Sequence, residues 1–142
     1  MIRLVAASLL LWSSACTEIG DPVLAEYALE EAVPSGPLTF ADDIAPILDR
    51  GGCTGCHVPG GKGDGHLDVA SAALILMGGD QGDELVPCDH EASRIWQRID
   101  AGEMPLGRPR LSQIAIDTIA KWIDQGGEQV YTAGTCPNPP LD

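Results

Sequence analysis

The stretch Cys53-Thr54-Gly55-Cys56-His57 has the spacing C-x-x-C-H, and the fold and function of the chain depend on it. Two sulfurs three residues apart in one turn of helix lie on the same side, where they can form thioethers to the two vinyl groups of one porphyrin. The histidine that follows directly is then held beneath the iron, where an imidazole nitrogen can bind it. The stretch predicts one covalently bound haem c, attached through Cys53 and Cys56 with His57 as an iron ligand.

Two other uses of paired cysteines compete with this interpretation. A redox dithiol also has the C-x-x-C spacing, but no βαβ pattern surrounds it here and the following histidine is then unexplained. A structural zinc site needs two more ligands, and Cys88 and Cys136 stand alone rather than as a second C-x-x-C pair. An export signal and a helical pattern elsewhere in the chain favour haem attachment.

Outward from this motif the sequence predicts helices and no strand of comparable strength, so the expected fold class is all-α. The glycine-rich segment 58–65 is expected to be a loop. Pro46 predicts that the first helix starts late or is bent. The predicted helices run from near Thr39 to the Gly51-Gly52 stop, from Ala72 to Met77 after the cap Ser71, from Glu91 to about Asp100 with Asp89 as the cap, and from the cap Ser112 to Gly126-Gly127.

Iron in an electron carrier normally has a second axial ligand from the protein, and methionine or histidine is the usual choice. The candidates are Met104, Met77, His66 and His90. Met104 is preferred because it lies in a loop between two helices and is followed by Pro105, which fixes the backbone direction and has no N–H to satisfy. Met77 is predicted to fill the core, and both histidines are predicted to be exposed.

The N-terminal residues read as an export signal. Residues 1–15 contain Arg3, an apolar run that is too short to span a membrane, and small residues before Cys16. This arrangement is similar to a bacterial lipoprotein signal, which predicts acylation of Cys16; ordinary cleavage that leaves Cys16 as a thiol is the alternative. Residues 17–38 are acidic and contain proline, and they are predicted to be a tether to a domain over 39–142.

The charge of the chain excludes some partners. With 8 basic and 21 acidic side chains in 142 residues, the net charge is −13, which repels nucleic acid and anionic lipid surfaces. The acidic surface is either a solvated surface or a docking face for a basic redox partner.

Several sequence elements occur in the order found in small class I cytochromes c. They are Phe40-x-x-Asp43-Ile44-x-Pro46-Ile47-Leu48, Cys53-x-x-Cys56-His57, Gly102-Glu103-Met104-Pro105 and Ile119-x-x-Trp122-Ile123-x-x-Gly126. From Leu38 to Glu128 the chain resembles this family, and in particular the short domains of planctomycete and myxobacterial secreted proteins. The resemblance implies a helical fold around one haem, first and last helices that cross near the haem edge, and iron ligation by His57 and Met104.

The remaining cysteines are not part of that family pattern. Of 5 cysteines, two are assigned to haem and Cys16 to lipid, which leaves Cys88 and Cys136 as an even pair in an oxidising compartment. A disulfide between them is predicted, with two reduced and buried cysteines as the alternative. Trp96 and Trp122 are expected in the core. The arginines that are candidates for binding the haem propionates are Arg94, Arg98, Arg108 and Arg110.

The predicted function is one-electron transfer on the periplasmic side of the cell envelope, with other exported redox proteins as partners. An iron closed by His57 and Met104 has no vacant position for a substrate, so the chain is predicted to be an electron carrier and not an enzyme. Two alternatives remain. In the first, Met104 does not bind and the open iron takes peroxide or a diatomic gas; in the second, the chain is a disulfide-stabilised lipoprotein with no redox role.

Overall fold

The computed structural model describes residues 32–61, 63, 65–127 and 136. The predicted signal, Cys16 and the tether up to residue 31 lie outside the described residues. Within the described part the regular elements are all helical, which confirms the all-α class. No helix there is long and apolar enough to cross a membrane.

The first helical segment changes its winding where Pro46 enters it. A π-helical turn over Phe40–Ile44 leads directly into helix α1, Ala45–Arg50. The Ala45 N–H donates to the carbonyl of Phe40, five residues back. Because proline has no N–H and its ring excludes the carbonyl four residues earlier, a wider turn replaces regular α-helical bonding here. The expected late start of the α-helix is confirmed.

Two of the three later helices begin where their caps predict. The later helices are α2 (Ala72–Met77), α3 (Arg94–Asp100) and α4 (Gln113–Asp124). Ser71 caps α2 and Ser112 caps α4, and each serine hydroxyl accepts a hydrogen bond at 3.2 Å from the backbone N–H three residues on.

Helix α3 begins at Arg94, so the predicted start at Glu91 is wrong. Asp89 caps only a preceding turn, because Ser93 has an extended backbone with φ −81° and ψ 114°. The Ser93 hydroxyl donates to the Asp89 carbonyl at 2.7 Å and accepts from the Val86 N–H at 2.9 Å. A short polar side chain that bonds to the backbone in this way competes with helix formation.

The core lies between the first helical segment and α4. The rings of Phe40 and Trp122 contact each other with centroids 5.8 Å apart. Trp122 is 1% exposed, so its predicted place in the core is confirmed, whereas Trp96 is only partly buried. The other fully buried large side chains are Ile44, Leu48, Ile75, Ile116, Ile119 and Ile123.

Residues 34–38, which the sequence places in the tether, lie along α4. The Leu38 N–H donates to Gln125 Oε1 at 2.8 Å, and Gln125 Nε2 donates to the Gly36 carbonyl at 3.0 Å. Lys121 Nζ donates to the Pro34 carbonyl at 3.1 Å. Because the Leu38 side chain is also buried, the packed part of the chain begins before Thr39.

The segment before α3 is fastened to the end of α4. Cys88 and Cys136 form a disulfide with their Cα atoms 5.4 Å apart, as the cysteine count predicts. The Cys88 N–H donates to the Ile123 carbonyl at 2.9 Å. The segment before α3 is therefore joined to α4 by a backbone hydrogen bond and to Cys136 by the disulfide.

Candidate functional site

The C-x-x-C-H motif forms a short helical turn directly after α1. Gly52 has a φ of +75°, a left-handed conformation that favours glycine, and it redirects the chain into the 3₁₀ turn Cys53–Gly55. The backbone N–H groups of Cys56 and His57 both donate to the Cys53 carbonyl, at 3.1 and 2.9 Å. The side chains of Cys53, Cys56 and His57 consequently line the same cavity.

A glycine loop encloses the outer side of this turn. The Gly63 N–H donates to the Cys56 carbonyl at 3.0 Å, and the Val69 N–H donates to the His57 carbonyl at 2.9 Å. A Cβ on Gly63 would stand 2.9 Å from His57 Nδ1, and one on Gly61 would stand 2.1 Å from the Cys56 carbonyl oxygen. The loop approaches the motif so closely that these positions require glycine.

The cavity has a volume of about 530 Å³, which is in the range of cofactor sites. Much of its wall belongs to the core, since Leu48, Val69, Ile95 and Ile99 are all buried side chains that also line it. A flat apolar group in this space would therefore extend the hydrophobic core.

Met104 lines the same cavity from the loop after α3. The N–H groups of Glu103 and Met104 both donate to the Arg98 carbonyl, at 3.0 and 3.1 Å, which fixes the loop on the end of that helix. Pro105, which follows it, is buried and lines the same cavity. The preferred ligand candidate is thus brought into one cavity with His57.

None of the other ligand candidates lines this cavity. Met77 is 79% exposed, so its prediction as core filler is wrong; it lies on the face of α2 opposite the buried Ala72 and Ile75. The predicted exposure of His66 is confirmed. The predicted exposure of His90 is wrong, because its Nδ1 bonds to the Asp124 carboxylate at 2.8 Å and its side chain is partly buried.

The side chains of the motif that point to haem chemistry, His57, Cys53 and Cys56, are not engaged with other parts of the described chain. His57 Nδ1 is buried and has no hydrogen-bond partner among the described residues. Cys53 and Cys56 are both free thiols. Burial raises the pKa of the Cys53 thiol, and the positive charge of Arg108 acts in the opposite direction.

Charged side chains surround the cavity, and sequence reasoning missed one of them. Glu84 is only 7% exposed, lines the cavity and lies 3.7 Å from Arg94 Nε. Nothing in the sequence distinguishes it from the other acidic residues. Arg98 forms an ion pair with Glu103. Arg110 bonds to Asp100 outside the cavity, while Arg94, Arg98 and Arg108 line it.

Comparison with known proteins bears on this cavity directly. Residues 53–105, which include the motif and Met104-Pro105, match the family model described as Planctomycete cytochrome C. The resemblance to planctomycete cytochrome c is confirmed. The match spans less than half of the chain. No curated protein and no solved structure matches this chain.

The planctomycete cytochrome c match implies a haem-binding electron carrier, and the cavity fits that cofactor. Two free thiols stand on one turn beside a histidine, and they line an apolar cavity of suitable size together with a methionine. Cys88 and Cys136 are consumed by their disulfide, so they do not supply the further ligands that a zinc site at this motif needs.

Proposed function

We propose that the chain is an exported mono-haem c-type cytochrome that transfers single electrons, with haem attached through Cys53 and Cys56 and iron bound by His57 and Met104. The observation that carries this proposal is that all of these side chains line one apolar cavity. The family match over residues 53–105 supports haem binding and electron transfer in general terms.

His57 is held for iron binding through one of its nitrogens only. Its Nδ1 is buried where Gly63 packs against the ring, so Nε2 is the nitrogen that the ring can present to the cavity. The short turn and the glycine loop restrict the orientation of the ring. Such outer contacts determine how a ligand histidine presents itself to a metal.

Met104 would supply a soft thioether ligand from the loop after α3. Bound haem supplies an iron that changes between the ferric and ferrous states. A thioether ligand favours the ferrous state, and the apolar wall formed by Leu48, Ile95 and Ile99 raises the potential further by excluding water. If His57 and Met104 both bound the iron, it would have no free position for a substrate, and the protein would act as an electron carrier.

The export, the lipid anchor at Cys16 and the exported redox partners are proposed from the sequence. The apolar run before Cys16 is typical of a signal that directs the chain to the periplasmic side of the envelope. An acidic chain with a net charge of −13 suits brief encounters with basic partners, which small interfaces serve well.

A pair of methionine variants tests the proposed ligation. The chain is expressed with a haem-attachment system, and Met104→Ala is compared with Met77→Ala by absorption spectrum and redox titration. We expect Met104→Ala to lose the spectral features of methionine ligation and to have a lower midpoint potential. Met77→Ala should match the parent, because Met77 is exposed and does not line the cavity. An unchanged spectrum in Met104→Ala would remove Met104 from the coordination sphere.

A further inference from the structure

The three arginines that line the cavity differ in how their charge is balanced. Arg94 has the buried carboxylate of Glu84 3.7 Å from its Nε, and Arg98 is paired with Glu103. The guanidinium of Arg108 has no ion pair and no hydrogen bond with any described residue. In a chain with 21 acidic and 8 basic side chains, an arginine without a carboxylate partner at a cofactor cavity calls for an explanation.

Arg108 reaches the cavity from the methionine loop and lies against the cysteine turn. Its N–H donates to the Pro105 carbonyl at 3.3 Å, so its backbone belongs to the loop that carries Met104. Its guanidinium covers Gly52, since a Cβ on that glycine would stand only 2.4 Å from Arg108 Cζ. The missing side chain at Gly52 therefore provides the space that the guanidinium occupies.

The charge of Arg108 lies next to the motif, because Gly52, which its guanidinium covers, directly precedes Cys53. The positive charge of Arg108 acts on the thiol of Cys53, the first cysteine of the motif. Arg108 as a whole is exposed, which places it at the opening of the cavity and not in its apolar depth. A charged edge of a bound group, kept near water, suits this place better than its apolar body does.

We propose that the Arg108 guanidinium binds a propionate carboxylate of the haem. This inference rests on the function proposed above. A guanidinium offers paired N–H donors that match a carboxylate, and the propionates are the only carboxylates that haem c brings to the cavity. Arg94 and Arg98 are already paired with the carboxylates of Glu84 and Glu103, so Arg108 is the cavity arginine that is left to pair with a propionate. The Arg108 guanidinium also packs over Gly52. Its contact with the propionate would therefore hold the methionine loop and the cysteine turn together around the cofactor.

The test compares three haem-loaded variants with the parent protein. Arg108→Gln removes the charge, Arg108→Lys keeps the charge but not the paired donors, and Arg110→Gln is the control because Arg110 bonds to Asp100 outside the cavity. Two quantities are measured: the midpoint potential, and the propionate bending band in the resonance Raman spectrum, which reports hydrogen bonding to the propionates.

We expect Arg108→Gln to shift the propionate band and to lower the potential, since a positive charge beside the ferric iron disfavours oxidation. At a fixed ambient potential its ferrous-to-ferric ratio should fall by about twofold to fivefold, the size expected for a partly exposed ion pair. Arg108→Lys should have a midpoint potential closer to that of the parent than Arg108→Gln has, but its propionate band should still shift. Arg110→Gln should change neither quantity.

Haem-loaded Arg108→Gln with the band and potential of Arg110→Gln would overturn the assignment of Arg108 and leave the proposed function intact. If Arg108→Gln does not accumulate, Arg108→Lys decides by the band alone, and an unshifted band overturns the paired contact. A parent protein without haem would instead overturn the proposed function itself.

Discussion

The two sides of the cavity that present the proposed iron ligands are built in different ways. The His57 side is local: a five-residue turn and one glycine loop hold it through backbone bonds such as Gly63 N–H to the Cys56 carbonyl. The Met104 side depends on distant parts of the chain, because its loop follows α3 and the segment before α3 is bonded to α4 through Cys88 and His90. A short sequence motif can therefore position one proposed ligand directly, whereas the position of the other depends on tertiary packing.

The largest effect is expected from removing the disulfide, which supports the Met104 side. The Cys88→Ala/Cys136→Ala variant should lose about 2–4 kcal/mol of unfolding free energy, because its unfolded chain is no longer restricted by the cross-link and has more conformational entropy. Denaturant unfolding of the haem-loaded protein measures this loss. Haem attachment should be unchanged, and the methionine-ligation signature should disappear at lower denaturant concentration than in the parent. Equal denaturation midpoints in parent and variant would show that the disulfide does not support this side.

A second variant is directed at the His57 side. Gly63→Ala places a Cβ 2.9 Å from both the Cys56 carbonyl oxygen and His57 Nδ1, so the loop or the ring must move. We expect a loss of about 1–3 kcal/mol in unfolding free energy and a lower yield of attached haem. The matched control is Gly55→Ala, where the added Cβ meets nothing within 4 Å. Equal haem yields and stabilities in the two variants would contradict the close packing of the glycine loop.

A third prediction concerns the buried carboxylate between the two sides. Glu84→Gln removes a negative charge that stabilises ferric iron, so the midpoint potential should rise. Glu103→Gln is the control: that side chain is 54% exposed and its charge is screened by water, so its effect should be smaller. Redox titration of both variants checks that the midpoint potential rises more in Glu84→Gln than in Glu103→Gln. A larger shift in Glu103→Gln would contradict the role of burial at Glu84.

The smallest effect is expected at an exposed ion pair that joins the glycine loop to the loop after α2. The hydrogen bond that His66 Nδ1 donates to Asp80 Oδ2, at 2.7 Å, raises the pKa of His66 above 6.5. The pair's contribution to stability is therefore full below pH 6.5 and is lost as the pH rises through the higher pKa of the folded state. NMR titration should find that Asp80→Asn lowers the His66 pKa. A His66 pKa that is the same in both proteins would show that the pair does not form.

Local signals predicted much of this fold. Ser71 and Ser112 cap helices because a serine side chain satisfies backbone N–H groups near the start of its own helix, and that interaction is visible in a short stretch of sequence. The pairing of Cys88 with Cys136 followed from the cysteine count. The presence of Met104 in the cavity was indicated by its place between two helices and by the following proline.

The features that escaped prediction depend on contacts between distant residues. His90 was expected to be exposed because its neighbours are polar, but Asp124 binds its ring from another helix. The extended Ser93 delays α3 because its hydroxyl bonds to Val86 as well as to Asp89. Glu84 is an ordinary acidic residue in the sequence, and only the fold places it at the cavity. Arg108 is one of four arginine candidates in the sequence, and only the fold separates it from the others.

The most direct test of the proposed cytochrome is the intact mass of the exported protein together with its absorption spectrum, measured after expression with a haem-attachment system. We expect a chain heavier by the mass of one haem under denaturing conditions, with the spectrum of a haem that has methionine as its second ligand. The Cys53→Ala/Cys56→Ala variant should have the mass of the chain without haem. A parent protein that is colourless and carries no added haem mass would contradict the proposal.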